Sequence, residues 1–178
     1  NLDTDLQRMQ LDYVQKLNRA KLSQDVHQPD VEGVIESFEL AFRMQTQAPE
    51  VTDLSGESEI TRKLYGMDDS KTENFGQMCL LARRFAERGV RFIQVSHAHS
   101  LPFNNEQWDQ HSHLEKGHSI NVRQIDKPIT GLIRDLKRLG MLEDTLVLWG
   151  GEFGRTPKIN GNAGRDHWGK VYSTLLAG

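Results

Sequence analysis

Apolar residues in the first third of this 178-residue chain return at helical spacing. Leu2, Leu6, Met9, Tyr13 and Leu17 lie three and four positions apart, which places them in one stripe on one helix. Val34, Ile35, Phe38, Ala41 and Phe42 repeat the pattern. Asp30 is placed to cap that second helix, and Pro49 is expected past its end. Residues 24–29 and 49–56 read as polar connectors, so 1–71 is expected to be a helical segment.

From Thr72 the pattern changes to helix alternating with strand. Thr72 is expected to cap a helix running to Gly89, where a residue without Cβ suits the left-handed helix end. Residues 90–95 (VRFIQV) form a short apolar run rich in β-branched residues, which predicts a strand ending at Ser96 and His97. Ile125, Ile129, Leu132, Ile133, Leu136 and Leu139 share one face of a later helix that stops at Gly140. Residues 145–149 (TLVLW) predict a second apolar strand. Strand, crossover helix and strand make the parallel unit of an α/β sheet, buried on both faces. Residues 72–178 are therefore expected to form an α/β domain, and no internal repeat competes with that organisation.

In such sheets ligands bind beyond the carboxyl ends of the strands. The loop after the first expected strand carries His97, His99, Asp109, His111 and His113; the loop after the second carries Glu152 and Arg155. A third polar segment, Gly164-Arg165-Asp166-His167-Trp168, follows. Carboxylate oxygen and neutral imidazole nitrogen are ligands of catalytic divalent metals, so three such clusters on successive loops point to one metal site.

Asp109 and His111 are two apart and face the same way on extended backbone, with His113 the second choice; the competing reading is a capping aspartate before two surface histidines. Glu152 follows an apolar strand and two glycines. It is either a metal ligand or the ion-pair partner of Arg155 three residues on. Asp166 and His167 are adjacent, so His167 is favoured as the direct ligand and Asp166 as its orienting member. The candidate metal set is Asp109, His111, Glu152, Asp166 and His167. Arg155 and Arg165 are the candidates to bind an oxyanion, because a guanidinium fork matches phosphate and sulfate oxygens. His97 is a weaker candidate at a strand end, and His118 reads as a surface histidine.

Composition narrows the partners. A net charge of −3 and a pI near 6.2 leave no electrostatic footprint for nucleic acid. No apolar run approaches membrane-spanning length. The single cysteine, Cys79, excludes an intramolecular disulfide and falls on the apolar side of its helix with Phe75, Ala82 and Phe85, as a core residue does. The chain opens at Asn1 without an initiator methionine and stops in an apolar run, so it is expected to be a piece of a longer protein, and the absence of an export signal within it is uninformative.

Three motifs carry a resemblance: WDQH at 108–111, DKPITGLIRDLKRLGMLEDTLVLWGGEFGRTP at 126–157 and GRDHW at 164–168. Through them the chain resembles, most clearly over 72–178, a family of exported, sulfatase-like proteins with a domain of unknown function in the alkaline phosphatase/sulfatase superfamily. The resemblance implies an alkaline-phosphatase-like three-layer α/β/α sandwich behind a mainly helical N-terminal third. It also implies one or two divalent metals at the strand ends, zinc first with calcium or manganese as alternatives, and a nucleophile in an N-terminal half beyond this chain. Twin-arginine export, and so a periplasmic location, is implied too. The sequence departs from the superfamily at one point: Glu152-Phe153 stands where relatives have an Asp-His pair. The function expected is a metal-dependent hydrolase of a small-molecule or glycan sulfate or phosphate ester. The alternatives are a non-catalytic metal- or anion-binding protein of the same fold, or an inert fragment lacking its nucleophile.

Overall fold

The computed structural model describes residues 4–22, 29–97 and 107–178. His99 lies outside them. The chain divides into two compact units, Asn1–Asp53 and Leu54–Gly178.

The first unit holds two helices, α1 (Thr4–Leu22) and α2 (Pro29–Thr52). Among the described residues, polar pairs link them, and the Arg8 guanidinium also lies over the buried Phe42 ring. Arg8 Nη1 pairs with Glu39 Oε1 at 2.9 Å, and the buried Gln15 donates from Nε2 to Glu39 Oε2 at 2.8 Å. The expected stripe is present but faces solvent: Met9 is 67 % exposed, and Leu6, Tyr13 and Leu17 are exposed with it. The face that α1 turns to α2 carries Arg8 and Gln15, seven residues and about two turns apart, so the stripe on the other side of the helix is left uncovered. Pro29 occupies the first helical position and Asp30 lies inside α2, which removes Asp30 as the cap. Pro49 also lies inside, one turn before the end, and its carbonyl accepts from Asp53 N at 3.1 Å.

The second unit contains α3 (Glu59–Leu64), α4 (Glu73–Glu87) and α5 (Leu114–Arg138), with four short strands after them. Its core is Tyr65, Phe75, Cys79, Leu80 and Ile125, against which Met67, Val95, Trp108, Ile129 and Leu132 pack. Cys79 takes the core position its spacing predicts. Gly89 (φ +81°) and Gly140 (φ +71°) stand in the left-handed region just past α4 and α5, where a side chain would be strained. Thr72 holds the N-cap position of α4 but makes no cap bond; its hydroxyl donates to the Gly66 carbonyl instead. Beneath the helices, Asp135 is fully buried and meets Arg83 Nε at 3.2 Å, Arg138 Nη2 at 2.7 Å and the Tyr65 hydroxyl at 3.0 Å.

Helices and small sheets are both present, as the alternating pattern predicts, but the sheets differ from the parallel unit expected. Residues 92–97 form no strand ladder among the described residues. Ile93, Val95 and His97 are half-buried while Phe92, Gln94 and Ser96 are exposed, so one face is covered rather than two. β1 (Val147–Trp149) pairs antiparallel with β4 (Leu175–Ala177), and Leu148 is 66 % exposed. β2 (Gly154–Arg155) pairs antiparallel with β3 (His167–Trp168) in a second two-stranded sheet. An apolar run marks a strand, but its partner and direction are set by which chain segments reach it.

Candidate metal centre

The β2–β3 ladder begins the site. Arg155 is the register partner of His167, and residues directly opposite in an antiparallel pair project to the same face. Thr156 N donates to the Asp166 carbonyl at 2.9 Å and Asp166 N to the Thr156 hydroxyl at 3.1 Å, which extends the ladder past its last paired residues.

The WDQH segment is then tied to this hairpin by main-chain bonds. Arg165 N donates to the Gln110 carbonyl at 3.1 Å, His113 N to Asn162 O at 3.2 Å and Leu114 N to Ala163 O at 2.9 Å. Gly164 lies against the His111 backbone so closely that a Cβ there would overlap the His111 carbonyl. Asn160 completes the joint. Its Nδ2 donates to His111 O and Asp166 Oδ1, both at 3.0 Å, and its Oδ1 accepts from Asn162 N and Gly164 N.

The result is a triangle of ligand atoms from two remote segments: Asp109 Oδ1, His111 Nε2 and His167 Nε2. The edges are 3.2 Å from Asp109 to His111, 3.1 Å between the imidazoles and 2.8 Å from His167 to Asp109. Ligands about 2.0–2.1 Å from a tetrahedral ion stand about 3.3 Å apart, so the triangle has nearly the dimensions of one face of such a site. All three side chains are partly open to solvent, which leaves a fourth position accessible.

The whole chain, residues 1–178, matches a family model described as Protein of unknown function (DUF1501). The chain belongs to the DUF1501 family. No curated protein and no solved structure matches it.

In this DUF1501 chain Asp166 is not part of the triangle but holds one corner of it. Its Oδ1 accepts from His111 Nδ1 at 3.1 Å, which leaves Nε2 as the ring nitrogen that faces Asp109 and His167. The His111 bond, with help from Asn160, holds the Asp166 carboxyl below the usual carboxylate range. The Asp109 carboxyl is held low as well, first by the His167 hydrogen bond and then by Arg155, so it stays an anionic ligand. Phe153 packs against His167, with ring centroids 4.5 Å apart.

Arg155 reaches Asp109 rather than Glu152. Its Nη2 pairs with Asp109 Oδ1, while its buried Nη1 has no hydrogen-bond partner. Arg165 likewise has a buried Nε without a partner. Glu152 is exposed and stands outside the three-residue group. His113 adopts a left-handed backbone (φ 49°) at the N-cap of α5 and is not one of the three either. His97 accepts from Trp108 Nε1 at Nδ1 (2.9 Å) and so donates from Nε2 to Gln124 Oε1 (2.9 Å), a role in fixing the WDQH segment. His118 faces Gln110 rather than solvent alone; partial burial lowers its pKa, and the charges of Arg165 and Arg155 act in the same direction.

Asn160 and Gln110 belong to the hydrogen-bond network that joins these segments, and sequence reading passes over both. The turn-forming run Asn160-Gly161-Asn162-Ala163-Gly164 is the one signal that marks the first.

Proposed function

We propose that this chain carries the metal-binding part of a metal-dependent hydrolase of sulfate or phosphate esters, exported and built on the three-layer α/β/α frame of the superfamily it resembles. The single observation that supports the reading is the triangle of Asp109 Oδ1, His111 Nε2 and His167 Nε2. Two imidazoles and a carboxylate with one open position are the donor set of a catalytic zinc rather than a closed structural one. The frame draws support from Ile93, Val95, Val147 and Trp149, which line one cavity with Cys79, Ile129 and Leu132, as a strand layer against a helix layer does.

Each residue then has a task. Asp109 and the two histidines hold the cation, and Asp166 keeps His111 in the tautomer that offers Nε2. A bound divalent ion would polarise the ester and stabilise charge on the departing oxygen. Arg155 contacts the ligand Asp109 and has a donor unused, and on this reading its guanidinium would bind a sulfate or phosphate oxygen. The same guanidinium is a cation that faces Asp109.

Zinc and manganese titration by calorimetry tests the metal, and turnover of aryl sulfates and phosphates by the full-length protein tests the chemistry. The expected result is metal binding lost in Asp109→Ala and His167→Ala, together with ester cleavage that needs the same residues. Binding without turnover would leave a metal- or anion-binding protein; no metal uptake would overturn the reading.

A further inference from the structure

The Asp109-Gln110-His111 tripeptide points two ways. Asp109 and His111 turn toward the candidate metal position, whereas Gln110 between them is buried, with 1 % exposure. Gln110 Nε2 donates to the Gln107 carbonyl at 3.2 Å, which leaves Oε1 to accept from His118 Nδ1. Gln107 O also accepts from Asn121 Nδ2 at 2.6 Å, and Asn121 is itself fully buried. Gly117, His118 and Asn121 belong to α5. The Gln110 main-chain carbonyl accepts from Arg165 N, beside Asp166 and His167. One residue is thus joined through its side chain to α5 and through its backbone to the segment bearing the third ligand.

We propose that Gln110 is the positioning residue of the metal site, and that its amide seat on α5 sets where Asp109 Oδ1 and His111 Nε2 stand relative to His167 Nε2. The inference rests on the metal reading above. Asp109 and His111 are partly exposed, so little packing holds their side chains, and the buried anchor between them governs their common backbone. The seat exists because position 117 has no side chain: a Cβ on Gly117 would overlap Gln110 Nε2 and Cδ. His118 belongs to the seat, since its Nδ1–H gives the buried Oε1 its partner.

Cobalt(II) and zinc titrations of the wild-type chain, Gln110→Ala and Gly117→Ala test this, each with a thermal melt. Gly117→Ala is the discriminating variant, because alanine is the better helix former and the group it displaces is the end of a flexible side chain. The expected result is a dissociation constant raised about 10- to 100-fold in both variants. The visible cobalt spectrum should change in both at temperatures where each variant is fully folded, whatever the shift in melting. Wild-type affinity and spectrum in Gly117→Ala would overturn the proposal. So would affinity that falls only at temperatures where the variant is partly unfolded, since that makes Gln110 merely structural. A wild-type chain that takes up no metal overturns the metal reading itself, and this inference with it.

Discussion

Asp166 Oδ1 lies 3.1 Å from His111 Nδ1, although the two residues are 55 positions apart in the chain. The bond turns the other imidazole nitrogen toward Asp109 and His167. Asp166→Asn should therefore weaken metal binding by about 10- to 100-fold, as loss of such an orienting carboxylate typically does. His167→Ala should cost more, because it removes a ligand outright. Calorimetric titration of the two variants beside wild type checks the order; equal losses would place Asp166 among the direct ligands.

Glu152 supplies the contrast. It is exposed and outside the ligand triangle, and the cation beside it pairs with Asp109 instead. Glu152→Gln should leave both metal affinity and melting temperature at wild-type values. A clear drop in metal affinity would return Glu152 to the ligand set.

Arg155 should matter for anion affinity. Its Nη2 lies on the ligand Asp109, and its Nη1 has no hydrogen-bond partner. Lysine keeps the charge and loses the fork, so Arg155→Lys should weaken sulfate or vanadate binding to the metal-loaded chain with little change in melting. Arg165→Lys is the parallel measurement, since that side chain also has an unpartnered nitrogen. Unchanged affinity in both would make the arginines structural.

Asp135 should govern stability alone. Asp135→Asn leaves the buried Arg83 facing a neutral group, while Arg138 is largely open to solvent. Breaking a buried pair this way costs about 3–5 kcal/mol. The lower end applies, because Arg83 keeps Glu57 at 2.9 Å and Glu87 at 2.7 Å. Denaturant unfolding should show the loss, and metal titration should show none.

The chain should also lose stability on the alkaline side. Burial pushes the Cys79 thiol up to about 12, and burial followed by the charge of Asp135 raises the Tyr65 hydroxyl. A group whose folded pKa lies above its unfolded value stabilises the fold fully below the unfolded pKa. That contribution disappears as pH rises from the ordinary thiol range of about 8.5 toward the folded value. Melting temperature should fall over this window, and Cys79 should resist thiol reagents at neutral pH until the chain unfolds. Rapid labelling of the native chain would contradict its place in the core.

The sequence by itself determined what depends on neighbours within one element. Helical spacing placed Phe75, Cys79 and Ile125 on buried faces, and Gly89 and Gly140 marked helix ends because a positive φ is a local requirement. Residue type and loop position also picked out Asp109, His111 and His167, since imidazole and carboxylate have the chemistry whatever surrounds them. Only the tertiary structure decided which of the candidates meet. Arg155 opposite His167 is a matter of antiparallel register, and the choice of Asp109 over Glu152 as the partner of Arg155 follows from it. The His111 nitrogen that faces inward depends on Asp166 across the fold, and the buried seat of Gln110 depends on the space left by Gly117. The apolar stripe of α1 and the runs at 90–95 and 145–149 mark surfaces that favour burial, but covering a surface takes a second one, and a single segment does not specify it.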